Sequence, residues 1–129
     1  MTTEELRQIP NEQKKIYALY SLLEKTRADS EPLQGFSIPV EKQRQKLEDL
    51  QKKYISILSV VTDQKEKAAE IISKIESDKQ RRVLTDRYIN CMKWKDILQK
   101  YDLTDHSSLL TLNKRALKSF QEVQEEQLR

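Results

Sequence analysis

Apolar residues recur every three or four positions along most of the chain, a spacing that predicts α-helices. The clearest run lies between about residues 41 and 76 and keeps a heptad pattern for about four repeats. Its seam positions, eight of which are apolar, are Leu47, Leu50, Tyr54, Ile57, Val61, Gln64, Ala68, Ile71 and Ile75. Such a helix would extend roughly 50 Å at ~1.5 Å per residue, more than a small domain covers along one side. We therefore expect it to pack against a partner helix.

A second amphipathic helix is predicted before it, from about residue 11 to residue 28. Asn11 is the expected N-cap, and the apolar positions at helical spacing are Ile16, Leu19, Tyr20 and Leu23. Residues 30–39 hold two prolines and the only glycine, which predicts a connection. The first helix can therefore fold back over part of the second as a hairpin. A further stripe is left for a third helix or another subunit, and it consists of Ile55, Leu58 and Ile72.

Three shorter helices are predicted in the last part of the chain. Ser77 or Asp78 can cap the first, at about 79–91; the second covers about 93–101, and the third begins after Asp105. The apolar residues of these helices are expected to form their inner faces. These residues are Val83, Leu84, Tyr88, Ile89, Trp94, Ile97, Leu98, Leu109, Leu112, Ala116, Leu117 and Phe120. Trp94 is expected to anchor the three helices.

The turn Asp102-Leu103-Thr104 joins the last two of these helices, with Leu103 expected to point inward. Two short helices, a tight turn and a longer helix form a helix-turn-helix pattern. The expected fold is all-α, with a long helical, coiled-coil-like hairpin arm followed by a small helix-turn-helix bundle. The arm is assigned to residues 1–76, for oligomerisation or partner binding, and the bundle to residues 77–129.

The net charge of +3 is unevenly distributed along the 129 residues. Residues 1–76 carry 13 basic and 13 acidic side chains, whereas residues 79–118 carry ten basic and four acidic ones, a local excess of +6. A basic segment next to a neutral arm is typical of a surface that meets a polyanion. The alternative is that these lysines and arginines are simply solvated, as on most charged helix faces.

Composition and residue inventory exclude several classes of protein. Asp105, His106 and Ser107 are adjacent on a predicted helix and therefore cannot form a catalytic relay. One histidine and one cysteine do not supply an ordinary zinc site, and a single glycine excludes glycine-rich phosphate loops. We expect no enzyme, no cofactor and no metal. The lone Cys91, the absence of a signal segment and the absence of a run of ~20 apolar residues predict a cytoplasmic protein with no membrane partner.

Three motifs in the C-terminal part carry a family resemblance. They are Arg82-Val83-Leu84-Thr85-Asp86-Arg87-Tyr88-Ile89, Trp94-Lys95-Asp96-Ile97-Leu98, and Leu109 with Leu112 and Ala116-Leu117. Over about residues 75–120 they resemble the C-terminal module of small phage late-transcription regulators of the ArpU and LtrC type. That module is similar to region four of bacterial sigma factors. The resemblance implies a DNA-binding transcription regulator in a bacterial host cell, with residues 105–120 as the recognition helix.

Helical spacing assigns roles to the exposed side chains of this module. Residues near the start of a recognition helix reach base edges, and the candidates are His106, Ser107 and Thr111. Basic residues are better placed for phosphates, and the candidates are Lys114, Arg115, Arg81, Arg82 and Lys95. Leu110 also falls on the exposed side, where it touches a thymine methyl group or marks a protein contact. Candidate partner-binding residues lie on the arm, namely Leu47, Leu50, Tyr54, Ile57 and Val61.

Two departures from the family pattern keep a second hypothesis open. Tyr101-Asp102 stands where the turn usually has glycine, and His106-Ser107-Ser108 replaces the more usual serine and arginine. These departures favour a helical adaptor or anti-regulator that does not bind DNA, whereas the +6 segment favours the regulator. The expected partners are double-stranded DNA, together with a second copy in a homodimer or a helical protein such as the transcription machinery.

Overall fold

The structure is a computed structural model that describes residues 1–30, 40–102 and 105–128. All regular elements in these ranges are helical, which confirms the all-α fold, with a long helical hairpin and a small helical bundle. The helices are α1 (Thr3–Ser30), α2 (Val40–Ser73), α3 (Asp78–Leu84), α4 (Trp94–Lys100) and α5 (His106–Gln127), and a π-helical segment (Thr85–Ile89) continues α3. No helix in the described ranges is long and apolar enough to cross a membrane. The predicted connection at 30–39 lies outside the described residues from residue 31 onward, whereas Ser30 belongs to α1. The inward position of Leu103 also lies outside the described residues.

Contacts between residues divide the chain into two compact units. The bundle unit consists of Met1–Pro10 and Thr62–Arg129, and the hairpin unit consists of Asn11–Val61. The units therefore meet after Pro10 and after Val61, and not at the expected boundary between residues 76 and 77. The first turns of α1 and the last turns of α2, which the sequence assigned to the arm, contribute to the same compact unit as α3, α4 and α5.

Helix α1 begins eight residues earlier than expected, so Asn11 is not its N-cap. The Oγ1 atom of Thr2 accepts a hydrogen bond from the Glu5 amide at 3.0 Å, and the Glu5 carboxylate accepts one from the Thr2 amide at 3.4 Å. This reciprocal pair is a capping box, and it satisfies amide groups that the first helical turn leaves unpaired. Pro10 lies inside α1 and cannot donate the helical hydrogen bond to Leu6.

The core of the bundle unit draws side chains from every helix of the unit. Phe120 of α5 is the largest fully buried side chain. The other apolar residues with no exposed surface, among those of the unit that the structure describes, are Leu6, Ile9, Ala68, Val83, Leu84, Ile97, Leu109 and Ala116. Complete burial of an aliphatic or aromatic side chain contributes roughly 1.5–3 kcal/mol. The predicted inner faces of the short helices are thereby confirmed at most positions, while Ile89, Leu98 and Leu112 are half-buried.

Trp94 is not the anchor of this core, and that expectation was wrong. Its side chain is half-buried, and the Arg87 guanidinium lies over the indole ring at 4.9 Å from the centroid. The same guanidinium donates to the Met92 carbonyl at 2.8 Å, so the pair closes the turn between the π-helical segment and α4. Trp94 is the first residue of α4, and side chains lean toward the N-terminus of their helix. The indole therefore lies beyond the end of the face that buries Ile97.

In the hairpin unit, the predicted seam of α2 is only partly buried. Ile16, Leu23 and Val61 are buried, and the rings of Tyr20 and Tyr54 lie 6.1 Å apart. The remaining seam residues of α2 in this unit are half-buried, and they are Leu47, Leu50, Tyr54 and Ile57. Because only nine residues connect α1 to α2, helices that pack in this way run antiparallel.

Replacing Phe120 with alanine should lower the free energy of unfolding by about 3–5 kcal/mol, because it leaves a cavity in the core. Trp94→Ala should cost distinctly less, since the indole is only half-buried. Leu110→Ala is the surface control, because that side chain is 47% exposed and should change stability by less than about 0.5 kcal/mol. Urea denaturation followed by circular dichroism measures all three. A larger cost for Trp94→Ala than for Phe120→Ala would restore the tryptophan as the anchor.

Candidate nucleic-acid interface

Helix α5 begins at a side-chain N-cap. The Asp105 carboxylate accepts hydrogen bonds from the Ser107 amide at 3.0 Å, the Ser107 hydroxyl at 2.8 Å and the Ser108 hydroxyl at 3.3 Å. These bonds, led by the one from the Ser107 hydroxyl, hold the pKa of Asp105 below its ordinary value. The carboxylate is therefore ionised at neutral pH and offsets the positive end of the helix dipole. The negative charge of Asp105 therefore disfavours an anion at this end of α5.

One side of α5 is buried and the other is open to solvent, as the spacing predicted. The exposed positions over the first three turns are His106, Ser107, Ser108, Leu110, Thr111, Lys114 and Arg115. The buried positions are Leu109, Ala116, Leu117 and Phe120. Since α3 packs against α5, the buried side is the one that contacts the rest of the unit.

A shallow groove lies between α3 and the open side of α5. It is called the α5 groove here, and it is lined by Lys79, Ser107, Ser108, Thr111, Leu112 and Arg115. Lys79, Lys114 and Arg115 form no ion pair within the described part of the chain, so their charges face solvent without a counter-charge. Lys79 was not among the candidates from sequence. It lies 28 residues before Ser107, and only the packing of α3 on α5 brings it there.

The two hydroxyl groups in the α5 groove have a fixed hydrogen-bonding role. The Ser107 hydroxyl donates to Asp105, and the Thr111 hydroxyl donates to the Ser107 carbonyl at 2.9 Å. A hydroxyl has one hydrogen and two lone pairs, so each group still offers lone pairs outward. In this arrangement Ser107 and Thr111 can accept hydrogen bonds from a ligand. Matching donors in the major groove of DNA are the amino groups of adenine and cytosine.

The other basic candidates are placed differently. Arg81 donates to the carbonyl groups of Ile75 and Glu76, the latter at 2.9 Å, and pairs with Asp78 at 3.3 Å. It therefore satisfies carbonyl groups of the link between α2 and α3, a structural role that sequence reasoning missed. Arg82 pairs with the same aspartate at 3.0 Å. Neither arginine lines the α5 groove; both line a separate cleft.

That separate cleft lies beside the last turns of α2, the α3 and π-helical segments and the end of α4, and it has a volume of about 820 Å³. Its basic groups already have acidic partners, because Arg82 pairs with Asp78 and Lys100 with Asp86. Lys95 is exposed on α4 and lines neither the cleft nor the α5 groove. Of the predicted site, the structure thus gathers Ser107, Thr111 and Arg115 in the groove.

A buried carboxylate holds the helices behind this surface in place. Asp86, only 4% exposed, accepts hydrogen bonds from Tyr101 at 2.6 Å, from Lys100 at 3.0 and 3.1 Å and from Asn90 at 3.3 Å. Burial alone raises the pKa of Asp86, but the hydrogen bonds from Tyr101 and Lys100 and the lysine charge outweigh it, so the pKa is lowered. Burial and this hydrogen bond raise the pKa of Tyr101. The network ties the end of α4 to the π-helical segment.

The turn after α4 adopts the backbone that glycine usually supplies. Asp102 has a φ of 53°, in the left-handed region, and its amide donates to the Gln99 carbonyl at 3.3 Å. Aspartate tolerates this conformation better than most residues. Cys91, between the π-helical segment and α4, also has a left-handed φ, of 56°. Burial raises the pKa of its thiol, which disfavours the reactive thiolate.

Asp86→Asn should remove an acid-sensitive part of the stability. The pKa of Asp86 is lower in the folded protein than the value of ~3.9 expected for the unfolded chain. The stabilisation is therefore fully present when the pH is above ~3.9. It is then lost as the pH falls through the folded pKa. At neutral pH the variant should be about 1–3 kcal/mol less stable than the wild type. The difference should shrink as the pH falls below ~4.

Urea denaturation over a series of pH values measures this difference. Asp96→Asn, at an exposed position of α4, is the control with the same chemical change. If Asp86→Asn and Asp96→Asn follow the same pH dependence, the Asp86 network does not contribute as described.

Comparisons of the chain with protein-family models, curated proteins and solved structures found no match. Among the residues that the structure describes, no three histidine, cysteine, aspartate or glutamate side chains come together in a way that would hold a metal ion.

Proposed function

We propose that the chain is a sequence-specific, double-stranded DNA-binding transcription regulator that uses α5 as its recognition helix. The observation that supports this most is the α5 groove, which Lys79 and Arg115 line together with the hydroxyl-bearing residues Ser107 and Thr111. Unpaired basic side chains next to short polar ones are the combination that positions a protein on phosphates and lets it read bases. The resemblance to phage late-transcription regulators points to the same function.

In this proposal the residues divide into two roles. Lys79, Lys114 and Arg115 contact phosphates, because their long side chains carry unpaired charges. Lys114 and Arg115 lie on α5, and Lys79 lies on the neighbouring α3. Ser107 and Thr111 accept hydrogen bonds from base amino groups in the major groove, which is wide enough for an α-helix. Asp105 disfavours a phosphate at the very start of α5, so the backbone of DNA is expected to follow the sides of the helix rather than its end.

A second candidate is an adaptor or anti-regulator that binds protein instead of DNA. Leu110 supports it, because this side chain is 47% exposed in the middle of the open side of α5. The hairpin unit also exposes several large apolar side chains. Under this candidate, the open side of α5 contacts a protein of the transcription machinery, and the +6 segment steers that encounter.

Fluorescence anisotropy with labelled duplexes tests the phosphate contacts. Lys79→Ala, Lys114→Ala and Arg115→Ala should each weaken binding to cognate and scrambled duplexes alike. Each should also flatten the dependence of log affinity on log salt concentration by about 0.9 for every phosphate that the variant no longer neutralises. Lys46→Ala, an exposed lysine of the hairpin unit, removes the same charge and should leave the slope unchanged. If the wild type binds neither duplex more tightly than about 10⁻⁴ M at low salt, the adaptor takes the place of the regulator.

Selection of preferred duplexes from a random pool tests base reading. Ser107→Ala and Thr111→Val remove the outward acceptors and should change which sequences are recovered. A base contact of this kind discriminates by about 1–3 kcal/mol. Ser119→Ala is a matched control, because this half-buried serine lies on α5 outside the groove. The same preferred sequences from wild type and both groove variants would show that these hydroxyl groups do not read DNA.

A further inference from the structure

We propose that the hairpin unit dimerises with the hairpin unit of a second copy, through one exposed apolar face on the flank that α1 and α2 share. This face is called the tyrosine face here and consists of Tyr17, Tyr20, Ile55 and Leu58. Two such hairpins form a four-helix bundle. The inference goes beyond the proposed function and does not depend on DNA binding, because every residue of the tyrosine face belongs to the hairpin unit.

The four side chains are exposed although they are large and apolar. The exposed fractions are 65% for Tyr17, 52% for Tyr20, 63% for Ile55 and 38% for Leu58. Within each helix the two residues are three positions apart, which places them about 60° from each other around the helix axis. Each pair therefore forms a short stripe along one side of its helix.

The two stripes lie next to each other. Tyr20 of α1 contacts the ring of Tyr54, and a groove between the helices is lined by Tyr20, Tyr54 and Ile55. In an antiparallel pair with Tyr20 level with Tyr54, Tyr17 is level with about residue 57, between Ile55 and Leu58. The stripes thus join into one continuous apolar surface. Among the described residues of this unit, the other large apolar side chains that are exposed are Leu22 and Val60. They lie on the opposite flank and are separated along the hairpin.

The hairpin unit also lacks a closed core of its own. Among its described side chains only Ile16, Leu23 and Val61 are buried, and the seam residues from Leu47 to Ile57 remain half-buried. Two packed helices bury only the side chains along their shared seam. A closed core forms when further helices pack over that seam. A second hairpin supplies two helices at once and covers both the tyrosine face and the adjacent seam.

Charge and area favour a second copy as the occupant. Residues 11–61 carry nine basic and seven acidic side chains, so two copies approach without strong repulsion. The tyrosine face exposes roughly 400 Å² in each copy, which is typical of a functional patch on a monomer. A two-fold contact buries it twice, and the half-buried seam adds the area that brings the total toward the ~1,200–2,000 Å² of a stable interface. The four side chains carry no charge that would repel the same side chains of a second copy across a two-fold axis. Tyrosine is also enriched among the residues that contribute most to interface affinity.

Sedimentation equilibrium of the full chain tests the proposal. The wild type should be dimeric at concentrations of about 100 µM and should dissociate on dilution. Ile55→Asp should weaken self-association by roughly a hundredfold or more, because the carboxylate would enter an apolar interface. The monomer should still fold, since Ile55 is mostly exposed in the single chain. Circular dichroism confirms that the helix content is kept.

Val60→Asp is the matched control, with the same charge at an exposed position of the same helix, about 140° around it from Ile55. It should leave the dimer intact, whereas Tyr20→Ala should weaken the dimer together with Ile55→Asp. The proposal is overturned if the wild type is monomeric at about 100 µM, which would leave the tyrosine face to a different helical protein. It is also overturned if Ile55→Asp remains dimeric, or if Val60→Asp dissociates the dimer equally. None of these outcomes depends on whether the chain binds DNA.

Discussion

Burial of one side of α5 is the constraint on which the bundle unit depends. Leu109, Ala116 and Phe120 have no exposed surface, and α3 packs against the helix that carries them. Because an α-helix turns through a fixed angle per residue, fixing the buried side also fixes the open one. Ser107 and Arg115 face outward for this reason. A substitution that rotates α5 against α3 would displace all the groove residues that α5 carries together, relative to Lys79 of α3.

Polar contacts add an orientation that apolar packing alone does not specify. The Asp86 carboxylate binds Lys100 and Tyr101 at the end of α4, and the hydroxyl of Tyr88 donates to Asn113 of α5 at 3.3 Å. Both connections start from the π-helical segment. Partly buried hydrogen bonds of this kind have strict geometry, so they distinguish between helix arrangements that bury similar apolar area. Packing thus sets how α5 is rotated, and the polar contacts hold the neighbouring segments against it.

The sequence predicts the features that depend on local periodicity. It does not predict which residues come into contact when they are far apart in the chain. Helical spacing places Leu109 inward and Thr111 outward because 3.6 residues per turn is a property of the chain itself. The early start of α1 was also visible, since Thr2 and Glu5 have the spacing of a capping box. By contrast, Lys79 reaches the α5 groove, and Asp86 finds its partners 14 and 15 residues away, only after the helices pack.

Two left-handed residues bracket α4, and their identity has a consequence for the unfolded chain. Cys91 and Asp102 occupy conformations that glycine adopts without strain. The cost in the folded state is roughly 1–2 kcal/mol for an ordinary residue such as cysteine and smaller for aspartate. Glycine, however, would give the unfolded chain more conformations to lose, an entropic disadvantage of about 0.4–1 kcal/mol per position. The two effects partly offset each other. Substituting glycine at either turn would therefore change stability less than the relief of strain alone indicates, while loosening the backbone that orients α4.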